Sequence, residues 1–161
     1  TQNIKWQQDQ IRFFGKMIDV PRLTAWYGEN DKPYAYSGIL MNPHPWNSDL
    51  LEIKSKIEEI AKVDFSSVLL NLYRDGKDSV SWHCDNEKEL GQNPVIGSVS
   101  FGATRTFKLR HLQDKIVEKL ELTNGSYVLM KGETQHKWEH EIPKTTRKLS
   151  PRINLTFRVI K

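Results

Sequence analysis

The 161-residue sequence has almost no cysteine and no long apolar run. Its single cysteine, Cys84, has no partner for an internal disulfide, which argues against a disulfide-stapled secreted domain. No stretch approaches the roughly 18 consecutive apolar residues of a membrane span, and the N-terminus lacks the succession of basic, apolar and small residues of a secretory signal. These absences predict an intracellular protein that does not associate with membranes.

The residues that are present suffice for one core. Hydrophobic residues make up 37% of the chain and aromatic residues 10%, which predicts a single domain over 1–161 and allows a monomer. The formal charge of +4 favours a polyanionic partner, because lysine and arginine release condensed counterions when they bind phosphates.

One stretch has a clear helical pattern. From Asn47 to about Lys62 apolar residues recur near the 3.6-residue spacing, and Asn47 or Ser48 can cap the start. Residues 1–46 contain several prolines, so we expect short strands and loops there. The apolar positions of the predicted helix are Leu50, Leu51, Ile57, Ile60 and Ala61.

After Asp64 the sequence changes to short runs typical of β-strands, with turn signals such as Thr123-Asn124-Gly125 between them. Many short strands and one good helix predict a mainly β fold, a sandwich or barrel of the jelly-roll type. The predicted strands are 67–73, 95–101, 104–109, 116–122, 126–130 and 153–160.

The strongest strand pattern lies near the C-terminus, where apolar and polar residues alternate strictly from Arg152 to Val159. Such a polar face is either a solvated surface or the lining of an anion site, since a guanidinium offers a planar fork that matches a carboxylate. The pattern alone leaves both readings open. The residues of this face are Arg152, Asn154, Thr156 and Arg158.

A His-x-Asp spacing marks a candidate metal site. In an extended segment His83 and Asp85 point to one side and Cys84 to the other. One carboxylate and two imidazoles form the facial triad of non-haem iron(II) oxygenases. The His-x-Asp spacing also occurs, however, in ordinary loops in which both side chains make hydrogen bonds. His136 and His140 lie on a predicted strand and share a face, so spacing does not select either as the third ligand.

Several sequence blocks are spread over most of the chain. They are Pro21-Arg22 with Tyr27-Gly28, Asn71-Leu72-Tyr73-Arg74, Asp78-Ser79-Val80 with Trp82-His83-Cys84-Asp85, Ser100-Phe101-Gly102-Ala103-Thr104-Arg105, Trp138-Glu139-His140-Glu141-Ile142-Pro143, and Pro151-Arg152-Ile153-Asn154-Leu155-Thr156-Phe157-Arg158. Together they resemble the AlkB family of alkylation-repair dioxygenases, and the similarity extends from about Arg12 to Arg158. The resemblance implies a double-stranded β-helix (jelly-roll) core at about 64–160, one flanking helix, and an N-terminal nucleotide-recognition lid at about 1–46.

The resemblance also implies a set of cofactors. It assigns Fe(II) to His83, Asp85 and His140, which leaves His136 as a bystander. O₂ and 2-oxoglutarate would be the cosubstrates. We assign Arg152 to the distal carboxylate of the keto acid and Arg158 to the end nearer the iron, and the reverse assignment stays open. The residues assigned to 2-oxoglutarate are Asn71, Tyr73, Arg152, Asn154 and Arg158.

The implied reaction is oxidative demethylation of alkylated bases of the 1-methyladenine and 3-methylcytosine type in single- or double-stranded DNA. Formaldehyde, succinate and CO₂ would be released, with no separate protein acid or base. Phe13 and Phe14 would form a wedge that replaces the flipped base in the stack. The base pocket would contain Arg22, Trp26, Tyr36 and Glu87.

Each of these substrate-binding assignments has a structural alternative. Trp26 and Tyr36 are equally suited to core packing, Glu87 to a solvated loop, and the two phenylalanines to packing beneath the lid. An RNA demethylase with the same chemistry is a second candidate function. A non-catalytic nucleic-acid-binding module is a third, but it leaves the metal and diacid residues unexplained. The enzyme would be cytoplasmic in a bacterium and nuclear in a eukaryote.

Overall fold

The computed structural model describes residues 3–29, 34–36 and 39–161, with the backbone alone for 34–36 and 39–41. Two antiparallel sheets of five and four strands dominate the described residues, so the predicted mainly β fold is confirmed. The major sheet contains β3 (Leu23–Gly28), β6 (Ser67–Tyr73), β8 (Ile96–Gly102), β11 (Tyr127–Met130) and β13 (Arg152–Arg158). Across the sheet these strands lie in the order β11-β8-β13-β6-β3.

The minor sheet has the order β10-β9-β12-β7, and its strands are β7 (Val80–His83), β9 (Arg105–His111), β10 (Val117–Leu122) and β12 (Trp138–Ile142). Two hairpins stand apart from these sheets in the N-terminal part. They pair β1 (Gln10–Phe13) with β2 (Lys16–Asp19), and β4 (Tyr34–Tyr36) with β5 (Ile39–Met41).

The major helix, α1 (Ser48–Ala61), agrees with the sequence prediction. The Asn47 side chain accepts a hydrogen bond from the Leu50 N–H at 2.9 Å, which satisfies one of the donors left open at a helix start. Leu50 and Ile57 are buried as expected. The predicted apolar face was too wide, however, because Leu51 and Ile60 are exposed. Leu51 follows Leu50 by one position, about 100° around the helix, so it points away from the sheet.

A second short helix, α2 (Thr134–Lys137), was not predicted. His136 was expected to lie on the strand that carries His140, but the Thr134 hydroxyl donates to the Lys131 carbonyl at 2.7 Å and starts a helical turn. His136 is therefore exposed on a helix, and the expectation that it shares a strand face with His140 was wrong. None of the helices in the described parts of the chain is long and apolar enough to cross a membrane.

The major sheet separates two environments. On one face, Leu70, Leu155 and Phe157 pack in a cluster with Leu50 and Ile57 of α1. On the other face lies a cavity bounded by both sheets. Strand β13 pairs with β8 and β6 and so lies in the interior of the sheet. Because neighbouring residues of a strand point to opposite faces, its even-numbered side chains line the cavity and its odd-numbered ones form the core.

Candidate metal and cosubstrate site

The three proposed metal ligands meet at one end of the cavity. Strands β7 and β12 are neighbours, and their register places His83 directly opposite His140, with 4.2 Å between the ring centroids. Asp85 lies just beyond the end of β7, and its Oδ1 is 3.6 Å from His83 Nε2. Each of the three residues offers a ligand atom within 4.8 Å of the others.

The local contacts favour the protonation states that a metal ion needs. His83 Nδ1 lies 2.8 Å from the Ser81 carbonyl, which only accepts, so Nδ1 carries the proton and Nε2 the lone pair. Burial and the nearby charge of His83 lower the pKa of His140 to about 4. Burial raises the pKa of Asp85, but the charges of Arg158, His140 and His83 outweigh it and lower that pKa to about 2. At neutral pH Asp85 is therefore a carboxylate and His140 a neutral imidazole.

Buried polar atoms test whether this cluster fits a metal ion. Within the described residues, Asp85 Oδ1 and His140 Nδ1 are buried and have no hydrogen-bond partner. Leaving such atoms unpaired costs about 1 to 3 kcal/mol each, so native proteins rarely do so without a functional reason. A divalent cation satisfies oxygen and nitrogen lone pairs at the same place, and two imidazoles with one carboxylate is the donor set typical of non-haem iron.

A buried arginine lies in the same cavity. Arg152 is only 2% exposed, and its Nη2 donates to Ser100 Oγ at 2.9 Å. Its Nε and Nη1 have no partner among the described residues. The Tyr73 ring lies 5.1 Å from the guanidinium, and burial lowers the pKa of Arg152. A buried guanidinium that faces a cavity without a carboxylate partner fits the carboxylate of a diacid such as 2-oxoglutarate.

The second arginine of β13 has a different environment. Arg158 Nη2 donates to Asp85 Oδ2 at 2.9 Å, and both side chains are buried. Arg158 therefore lies at the end of the cavity that holds the proposed metal ligands, and it contacts one of them. The positive charge of Arg158 keeps Asp85 ionised when no metal is bound.

The two proposed asparagine contacts are already engaged within the protein. Asn71 Oδ1 accepts from Arg22 Nε at 2.8 Å, which leaves Asn71 only its Nδ2 donors for a cosubstrate. Asn154 Nδ2 donates to Ser98 Oγ at 2.8 Å and to the Val99 carbonyl at 3.2 Å. Asn154 thus ties β13 to β8 and has little left to offer a ligand.

The proposed base-pocket residues are not brought together. Arg22 is buried and lines the cavity. Trp26 is 2% exposed and packs with Leu69 and Ile160, which favours its alternative role in the core. Glu87 is partly buried in the segment between β7 and a 3-10 helix (Lys88–Leu90), and neither Glu87 nor Trp26 is among the described residues that line the cavity. The Tyr36 side chain lies outside the described residues.

The proposed wedge forms the tip of the β1-β2 hairpin. Phe14 and Gly15 make a two-residue loop with φ values of 45° and 77°. Hairpin loops with both φ values positive favour Asn-Gly, and a phenylalanine there has a strained left-handed backbone. Phe14 is nevertheless 92% exposed, with its ring centroid 4.6 Å from that of Phe13. The alternative, phenylalanines packed beneath the lid, does not describe this hairpin.

Sequence reasoning missed several cavity and support residues. Ser98 and Ser100 alternate with apolar residues in β8, so strand parity could have placed them opposite the polar face of β13. Arg105 was noted only as part of a motif. It is buried and donates to the carbonyls of Asp75, Asp78 and Pro143. No sequence signal marked Gln135, because its short helix was not predicted.

A family model and several curated relatives match this sequence. The model described as "2OG-Fe(II) oxygenase superfamily" matches residues 1–158. The mouse protein "Alpha-ketoglutarate-dependent dioxygenase alkB homolog 3" is 49% identical over 150 residues, which are 87% of this chain and 52% of that protein. Human "DNA oxidative demethylase ALKBH2" is 38% identical over 159 residues, or 94% of this chain and 61% of that protein. The chain thus spans about half the length of such relatives.

The fold is also found in solved structures. "The structure of OsALKBH1" superposes with a TM-score of 0.62 at 15% identity, covering 94% of this chain and 80% of the other. At this identity the match concerns the fold, which agrees with the predicted jelly-roll core. The family model and the curated relatives cover nearly the whole sequence. The chain therefore belongs to the 2OG-Fe(II) oxygenase superfamily and, within it, to the AlkB family.

Proposed function

We propose that this protein is an Fe(II)- and 2-oxoglutarate-dependent dioxygenase that removes methyl groups from alkylated bases in DNA. One observation carries the proposal. The His83, Asp85 and His140 cluster and the guanidinium of Arg152, two of whose nitrogens have no partner among the described residues, line the same buried cavity. A metal site beside a carboxylate-binding cation is what a chelating keto acid needs.

The residues would divide the work as follows. His83, Asp85 and His140 would hold the iron, and Arg152 would bind the carboxylate of 2-oxoglutarate that lies away from it. Bound iron and keto acid, together with O₂, would supply the oxidising power that hydroxylates an N-methyl carbon. The hydroxylated methyl group would then leave as formaldehyde and yield the repaired base. Apolar side chains on the cavity wall would exclude water; they are Leu69, Val80, Phe107, Leu122, Met130 and Ile142.

The choice of a nucleic-acid base as substrate rests on the relatives and on the hairpin. One of the relatives is called a DNA oxidative demethylase by name. A base within a duplex must be extruded to reach a buried cavity, and alkylation that spoils base pairing lowers the cost. The formal charge of +4 suits a phosphate backbone. Arg22 lines the cavity and would lie near the flipped base.

The hairpin favours double-stranded DNA as a substrate. Phe14 is large, apolar and almost fully exposed, and its backbone conformation favours asparagine or glycine. The stability of the fold therefore does not explain a phenylalanine at this position. Inserted between bases, Phe14 would fill the gap left by the flipped nucleotide. Strain at an exposed tip with a plausible binding role is the pattern expected of a functional residue.

The catalytic proposal is tested by anaerobic titration with Fe(II) and 2-oxoglutarate, followed by oxygen and a methylated oligonucleotide, with formaldehyde as the readout. We expect a metal-to-keto-acid absorption band and turnover in the wild type, and neither in His140→Ala. Lack of both the band and turnover in the folded wild type would refute the enzyme. Parallel DNA and RNA oligonucleotides carrying 3-methylcytosine decide between the DNA and RNA functions.

The wedge is tested with Phe14→Asn, which suits the left-handed turn better than phenylalanine does. We expect its stability to equal or exceed that of the wild type by a few tenths of a kcal/mol, because asparagine is favoured at this turn position. Demethylation of duplex DNA should fall at least tenfold more than that of single-stranded DNA. Equal losses on both substrates would show that Phe14 does not act as a wedge.

A further inference from the structure

A buried glutamine connects the two segments that carry the proposed metal ligands. Gln135 is 1% exposed and lies in α2, immediately before strand β12 and its His140. Its side-chain Oε1 accepts a hydrogen bond from the backbone N–H of Asp85 at 2.8 Å. Its Nε2 donates to Met130 Sδ at 3.4 Å. The Gln135 side chain thus connects α2, which leads into β12, to the end of β11 and to the loop after β7.

The orientation of this amide follows from chemistry. The backbone N–H of Asp85 only donates, so the group that meets it must be the carbonyl oxygen of Gln135. The amide nitrogen is then left to face a thioether sulfur, which is a weak acceptor and makes few demands on geometry. The strong contact of Gln135 is therefore the one with Asp85.

That contact fixes a backbone position on which the metal site depends. Asp85 follows the last residue of β7 by two positions and has no strand ladder to hold it. Its carboxylate must reach the same point as the imidazoles of His83 and His140. The hydrogen bond that the Asp85 N–H donates to Gln135 holds the peptide nitrogen of Asp85, and Arg158 holds its carboxylate. Partners of this kind orient ligands without touching the metal.

We propose that Gln135 is a positioning residue of the metal centre, which acts by holding the backbone of Asp85 at a fixed distance from the strand that carries His140. This inference rests on the proposed metal site. Gln135 touches neither the cavity nor the substrate, since it is absent from the described residues that line the cavity. Its loss should change metal affinity and leave nucleic-acid affinity unchanged.

The test compares Gln135→Met and Gln135→Leu, which keep similar bulk but offer at most the weak acceptor of a thioether, with Gln135→Glu, which keeps a strong one. The dissociation constant of Mn²⁺ is measured by the electron paramagnetic resonance of the free ion. We expect the Met and Leu variants to bind Mn²⁺ about 10 to 100 times more weakly, the usual effect of losing such a partner. Gln135→Glu should recover most of the affinity. His136→Ala, at the exposed neighbouring position, should bind as the wild type does.

The outcomes separate this inference from the site on which it rests. If His140→Ala binds Mn²⁺ as tightly as the wild type, the metal site itself is wrong. If His140→Ala loses Mn²⁺ while folded Gln135→Met or Gln135→Leu binds within twofold of the wild type, only the role of Gln135 is refuted. Lower melting temperatures of the metal-free variants with unchanged Mn²⁺ affinity would mark a purely structural role. Should neither apolar variant fold, a tenfold loss in Gln135→Glu would overturn the proposal, and wild-type affinity would support it.

Discussion

Replacing Arg158 by methionine should destabilise the metal-free protein severely, and a divalent metal should reduce the deficit. The Arg158 guanidinium and the Asp85 carboxylate are 2.9 Å apart and both almost fully buried. Methionine retains much of the volume of the arginine stem but provides no charge. The buried carboxylate of Asp85 would then keep the imidazoles of His83 and His140 as neighbours but lose its guanidinium partner.

The magnitude follows from the pKa of Asp85, which folding lowers from 3.8 to about 2. Lowering the pKa of a carboxyl group stabilises the folded state above the unfolded pKa, and this shift corresponds to about 2 to 3 kcal/mol at pH 7. Without Arg158, burial would dominate and raise that pKa. The total loss should therefore reach about 3 to 5 kcal/mol, the range for breaking a buried ion pair.

Urea unfolding at pH 7, with and without Mn²⁺, measures this effect. The matched control is Arg110→Met, which breaks a 2.7 Å pair with Glu139 that is partly solvent-exposed and should cost at most about 1 kcal/mol. Bound Mn²⁺ should narrow the gap between Arg158→Met and the wild type, because its charge replaces the guanidinium beside Asp85. The reasoning is refuted if Arg158→Met, free of metal, unfolds within about 1 kcal/mol of the wild type.

Three further predictions concern buried ionisable groups. The free energy of unfolding of the metal-free protein should fall by about 3 kcal/mol as the pH drops from 6.5 to 4, because His140 is protonated near pH 6.5 in the unfolded chain and only near pH 4 in the folded one. The prediction is contradicted if urea unfolding gives the same stability across this window, or if His140→Gln shows the same pH dependence as the wild type. Arg105→Met leaves three carbonyls without their donors and should lower the free energy of unfolding by about 3 kcal/mol, with little recovery in Arg105→Lys. Arg152→Met should weaken 2-oxoglutarate binding about 100-fold by calorimetry without lowering the melting temperature of the ligand-free protein, and an unchanged affinity would remove Arg152 from the site.

Local patterns predicted those parts of the molecule whose geometry is itself local. Strand alternation placed the polar face of β13 correctly, since the period of two is a property of the backbone. The N-terminal cap and the spacing of the apolar residues were sufficient to predict α1, because both are also local features. The position of His140 opposite His83 depends on how two distant strands pair, and it was anticipated only through the family resemblance.

The errors came from contacts that no local pattern contains. An exposed aromatic and a buried one have the same sequence signature, so Trp26 in the core and Phe14 at a hairpin tip could not be told apart by residue type. The width of the apolar face of α1 depends on the shape of the sheet beneath it, which left Leu51 exposed. Gln135 acts across 50 residues of sequence on the backbone of Asp85, and glutamine has no compositional signal for such a role.

The central position of β13 also limits how this protein can evolve. Its odd-numbered residues belong to the core and its even-numbered residues to the cavity, so substitutions can alter one face and leave the other intact. A single inserted or deleted residue within the strand would instead exchange the faces of all residues on one side of it. One inserted before Asn154, for example, would place Leu155 and Phe157 in the cavity and Arg158 in the core. Point mutations in β13 can therefore change ligand preference in this fold, whereas insertions and deletions must be confined to the loops around the strand.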